Sequence, residues 1–140
     1  MTSAVSDVER RPLTGRNFRV EIDEGNGRHV EVGCSEVVFP SLAAVRDSWR
    51  PDAAEHLLLR RAATGGEEFH AWWAKARSGR SPQRRTVTIS LIGDDRAGTP
   101  MRWRFRNVRP VSLHYSPLNA MGSALLIESI ELAFDDVEIG

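Results

Sequence analysis

Few residues in this chain combine the right type with the right spacing for chemistry. Glu67-Glu68-Phe69-His70 contains a Glu-x-x-His, the pairing that di-iron sites draw from a helix. Such a site needs a second copy of the motif on another helix, and the sequence offers neither. His29, His56 and His114 lie in separate segments without ligand spacing. Cys34, between Gly33 and Ser35, has no protease-like signature around it, and no serine sits in a Gly-x-Ser-x-Gly elbow. Gly65-Gly66 lacks the strand, loop and lysine of a phosphate cradle. The carboxylate pairs Asp94-Asp95 and Asp135-Asp136 fall in a turn and near the end of the chain, where solvated charge is expected. No catalytic, cofactor-binding or metal-binding constellation is therefore predicted. A small enzyme using His114 or Asp94-Asp95 remains one rival reading.

The basic residues are more suggestive. Arg102, Arg104 and Arg106 alternate with Met101, Trp103 and Phe105, so the three arginines share one face of a strand. Such a stripe suits phosphate contact or carboxylate pairing. Lys plus Arg equals Asp plus Glu at 19 each, which removes the overall positive charge that nucleic-acid binding would favour. Pairing with carboxylates on a neighbouring strand or subunit is the preferred reading, with nucleic-acid contact the alternative. A single cysteine excludes an intramolecular disulfide, and no apolar run approaches the ~20 residues of a membrane helix.

The elements that must carry these residues are mostly strands. Phe18, Val20 and Ile22 alternate with charged residues, and Asn26-Gly27 is a hairpin signal leading to a partner strand at Val30 and Val32. Glu36 to Phe39 is a strand closed by Pro40, and Leu57-Leu58-Leu59 is another. Val87, Ile89 and Leu91, then Met101 to Phe105, continue the alternation; Val108 to Tyr115 is extended, and Leu125 to Phe134 forms a last strand. That strand has apolar residues on both parities, which a bulge or the burial of both faces would explain.

One helix is expected, over about 65–78. Thr64 and Glu67 have capping-box spacing, Phe69, Trp72, Trp73 and Ala76 form one stripe, and Gly79 serves as the stop. Residues 1–16 read as a flexible leader rather than a signal peptide, and 17–140 as a single domain with a projecting arm at 36–58. The fold class is mainly β: a small antiparallel barrel or sandwich of six to eight strands with one packed helix.

The stretch Trp103 to Val137 also resembles the closing segment of the tail-tube proteins of contractile phage tails and bacterial contractile injection systems. The residues that carry the likeness are Trp103, Phe105, Asn107, Pro110 and Val111, the loop Pro117-Leu118-Asn119-Ala120 with Gly122, and Ile127-Glu128-Ser129 with Glu131 and Leu132. Asn17-Phe18, Leu59-Arg60-Arg61 with Thr64, and Trp72-Trp73 match further family segments in order. Residues 36–58 depart from the family, lacking its Tyr-Arg-Glu-Gly-Gly and Lys-Leu-Pro-Gly elements.

The resemblance implies a structural protein, assembled in the cytoplasm into hexameric rings that stack as a tube. Its partners would be further copies, a contractile sheath protein, baseplate, spike and tube-terminating proteins, and cargo effector or DNA in the lumen. A baseplate-proximal initiator or tube-end paralogue is an alternative within the family; a stand-alone β-barrel ligand-binding module is an alternative outside it. The expected subunit contacts are Val38, Phe39, Leu42, Val45 and Trp49 on the arm, and Pro117, Leu118, Asn119, Leu125 and Ile127 around the final loop.

Overall fold

Alternation along the chain becomes a sheet whose two faces differ in polarity. The computed structural model describes residues 12–42, 56–79, 84–93 and 98–140. Most of the arm (43–55), most of the leader, part of the basic loop and the Asp94-Asp95 turn lie outside the described residues, as do Val45 and Trp49. Eight strands are present among the described residues: β1 (Phe18–Asp23), β2 (His29–Val32), β3 (Glu36–Val38), β4 (Leu57–Ala62), β5 (Arg85–Leu91), β6 (Met101–Tyr115), β7 (Ile127–Ala133) and β8 (Asp136–Ile139). All pairings are antiparallel, in the order β2-β1-β5-β6-β7-β4-β3, with β8 also on β6.

The 15-residue β6 organises the rest. Its first half lies between β5 and β8, and its second half continues on β7. Asn107, at φ 54°, marks the corner between the halves, and the register with β7 shifts again between Pro110 and Ser112. Two sheets therefore share one bent strand, giving a sandwich-like fold. Among the described residues, the end strands β2 and β3 do not pair with each other to close a barrel.

The inward residues are those that alternation selects. Val20, Ile22, Val87, Ile89, Phe105, Val108, Ile130 and Leu132 are buried together with Leu57 and Leu59. Phe134 packs edge-on against Phe105, at 4.8 Å between ring centroids. The single described helix, α1 (Glu68–Arg77), lies against β6 and buries Phe69 and Trp72 completely.

Four expectations need correction. The hairpin between β1 and β2 is a five-residue connection, and its positive-φ positions are Gly25 and Gly27; Asn26 instead accepts from the Arg28 amide through its side chain. The helix starts at Glu68 with no side-chain cap, so the Thr64–Glu67 box does not form, and Ala76 is only half-buried. The two apolar parities near β7 do not arise from a bulge in that strand, since its register with β4 is unbroken. Ile130 and Leu132 face the core, Ile127 lies on the other parity, and Leu125 belongs to the preceding loop. Lastly, the chain does not end its sheet at β7: β8 follows, placing Asp136 in a strand while Asp135 pairs with Arg109 and Arg84.

Because Phe69 is fully enclosed, Phe69→Ala leaves a cavity beneath the helix. Denaturant unfolding should show a loss of about 3 kcal/mol or more; a loss below about 1 kcal/mol would remove Phe69 from the core.

Candidate assembly surfaces

The inward parity of β4 runs Leu57, Leu59, Arg61, and that of β7 runs Leu132, Ile130, Glu128. Antiparallel pairing places Arg61 directly opposite Glu128, so two apolar faces end in one buried ion pair. The Arg61 Nε donates to Glu128 Oε1, its Nη1 to Glu68 Oε1 at 3.1 Å, and its Nη2 to the Gly66 carbonyl at 3.2 Å. The guanidinium also lies 4.4 Å from the centroid of the Phe69 ring. A Cβ on Gly66 would stand 2.6 Å from Glu68 Oε2, so a side chain there would push that carboxylate aside.

This cluster orders the start of α1 in place of a local capping box. Burial disfavours the charge on Arg61, but the hydrogen bonds and charges of Glu68 and Glu128 outweigh it and hold the guanidinium above its ordinary value. The Arg61 hydrogen bond, with help from nearby backbone amides, holds the Glu68 carboxyl below its usual range.

Among the described residues, the titratable groups outside this cluster lie scattered over the fold. Burial pushes the Cys34 thiol up to about 12 despite the charge of Arg61, leaving it protonated and a poor nucleophile at neutral pH. Among the described residues no group of three or more His, Cys, Asp or Glu could hold a metal. No helix among them is long and apolar enough to cross a membrane.

The outer face of the first sheet is polar throughout. Arg102, Arg104 and Arg106 are all exposed there, with Arg106 2.7 Å from Glu138 and Arg102 donating to the Ser90 hydroxyl. The pairings align Glu31, Glu21, Thr88, Arg104 and Glu138 across the five strands, placing carboxylates on both sides of the arginine stripe.

Apolar exposure is concentrated elsewhere. Val38, Phe39 and Leu42 are exposed beside the start of β6, where the Phe39 ring meets Trp103 at 4.8 Å. At the far end of β6, Leu118, Met121 and Leu125 are 85%, 94% and 72% exposed on the loop joining β6 to β7. Ser116 and Ile127 close the base of that loop with two hydrogen bonds, and the Asn119 side chain accepts from the Met121 amide. Asn119 thus shapes the loop, Pro117 is exposed beside it, and Ile127 is half-buried. The two groups of expected contact residues lie apart within one chain. Met121, missed by the sequence reading, is the most exposed large apolar residue described; its place next to Gly122 in an otherwise uncharged loop was the available signal.

The model of the T4-like virus tail tube protein gp19 family matches residues 15–138. The chain belongs to that family. It is a tube component of a phage tail or tail-like particle. The fold is similar to a chain of the extended sheath/tube terminator of PVC, an extracellular contractile injection system (TM-score 0.75, 19% identical, covering 94% of this chain and 99% of that one). It is similar also to a chain of the PVC sheath-tube complex (TM-score 0.71, 18% identical, 100% and 99% covered). A third likeness is to a chain of the anti-feeding prophage baseplate (TM-score 0.74, 16% identical, 93% and 96% covered). No curated protein sequence matches the chain.

The Arg61 cluster leads to an energetic expectation for this tube protein. Arg61→Ala strands the Glu128 carboxylate in the interior and should cost about 3–5 kcal/mol in denaturant unfolding, whereas Arg61→Met with Glu128→Leu should recover most of that loss. The lowered Glu68 value sets the sign of the acid response: its contribution is present above the ordinary carboxylate range and is lost as pH falls through the folded value. Glu68→Gln should therefore flatten the acid limb of stability against pH. An unchanged limb would detach Glu68 from the cluster.

Proposed function

We propose that this chain closes into hexameric rings which stack into the inner tube of a contractile tail or injection particle, without catalytic chemistry of its own. The family match across the β domain carries the reading. A ring of like subunits uses heterologous contacts that close by rotation, and ring-on-ring stacking uses heterologous contacts that remain open, giving a filament. Exposed apolar residues at both ends of β6 support that arrangement, because clustered apolar exposure marks interaction surfaces.

The sheath-tube, terminator and baseplate complexes that contain the similar folds support a contractile sheath, a terminator and a baseplate as partners here. Cargo effector or DNA would travel in the lumen. The charge-paired outer face with Arg102, Arg104 and Arg106 is a candidate lumen surface, wet and offering no apolar grip. A place at one end of the tube is the second reading, favoured by the departure of residues 36–58 from the family pattern.

We assign the arm at 36–58 to intersubunit contact. Deleting residues 41–56 and closing the gap with a short Gly-rich turn should leave a folded subunit that assembles poorly. Sedimentation of the variant beside the parent checks this. Equal assembly of the two would remove the arm from the interface.

A further inference from the structure

We infer that the loop 116–126 of one copy docks in the apolar groove beside the start of β6 of a second copy. This contact rests on the tube-subunit reading and specifies which surfaces meet. The groove, of about 370 Å³, is lined by Leu13, Val37, Phe39, Leu91, Met101 and Trp103, among others. Its one carboxylate, Glu36, already accepts from Arg60 at 2.7 Å, and the Ser35 hydroxyl donates to the Arg60 carbonyl. The space suits a few apolar side chains; a helix about 10 Å across does not fit. It lies at the small end of ligand sites but lacks the converging polar groups that orient a small molecule.

The loop has the matching chemistry. Ser116 to Leu126 includes no charged residue, and its turn leaves Leu118, Met121 and Leu125 projecting into solvent. Polarity therefore matches on both sides, and no charge has to be buried unpaired. Position identifies the occupant as another copy. Met101 and Trp103 line the groove at the start of β6, whereas the loop leaves the end of the same strand, 15 residues later. Pairing with β5 and β8 fixes the first half of that strand and pairing with β7 the second, so the loop cannot return to its own groove without breaking the sheet. A projection at one end and a recess at the other make a heterologous, head-to-tail contact, the type that propagates through an assembly.

Cross-linking tests the contact directly. Phe39→Cys and Met121→Cys are combined in a Cys34→Ala background, with Leu13→Cys replacing Phe39→Cys should circular dichroism show the latter unfolded. A short bis-maleimide should produce a ladder of multimers on a denaturing gel, and the control pair Arg28→Cys with Met121→Cys should not. Leu118→Asp with Leu125→Asp should leave the melting temperature unchanged and reduce assembly at least roughly tenfold, as the loss of buried leucines implies. Particles without a ladder overturn the docking and leave the tube reading intact. A ladder without particles at any concentration supports the docking and removes the tube reading. Neither ladder nor particles removes both, and an internally cross-linked monomer places the loop in its own groove and overturns the proposal.

Discussion

Arg61 holds a full positive charge in the interior, and the placement of the helix and second sheet depends on how that charge is satisfied. Its partners come from three elements: Glu128 on β7, Glu68 on α1, and the Gly66 carbonyl in the connection between β4 and α1. A buried cation without such partners would be costly, so alternatives that move the helix or slip β4 against β7 are disfavoured together. A one-residue slip would turn Arg61 outward and leave Glu128 facing the apolar interior. Phe69 lies under the guanidinium and Trp72 under that of Arg85, so both buried rings of the helix sit against cations that are themselves tied to the sheet.

This anchoring gives the subunit firm ends from which to associate. The corner of β6 at Asn107 is pinned by Arg109, which donates to the Asn107 carbonyl and to Asp135, while the Asp135 amide donates to the Arg106 carbonyl. One strand thereby serves both sheets and fixes the separation of the groove at its start from the loop at its end. The polar face between them carries carboxylates on both sides of its arginines, so it can stay wet without strongly attracting either sign of charge.

The strands read well because burial on one face imposes a period of two, and that period is visible in Val20, Ile22, Val87, Ile89 and Phe105. The helix was visible through Phe69 and Trp72, but its start was not. Local spacing favoured Thr64 and Glu67, whereas the observed start answers to Arg61, whose main partner Glu128 lies 67 residues away. The parity of Leu57, Leu59 and Arg61 hinted at an inward arginine; no local rule names its partner. β8 was overlooked although Val137 and Ile139 alternate with Asp136 and Glu138, because four residues beside two acidic ones read as solvated chain end. The bend at Asn107 had only a weak local signal, the tolerance of asparagine for positive φ, which does not say that two sheets meet there. Of the expected contact residues, the exposure of Phe39 and Leu118 suits association, but which surface meets which depends on their placement along β6.

Negative-stain microscopy of the purified protein, alone at high concentration and together with a sheath protein from the same particle, tests the assembly account most directly. Six-fold rings and stacked tubes are the expected result. A monomer that stays monodisperse under both conditions would contradict it.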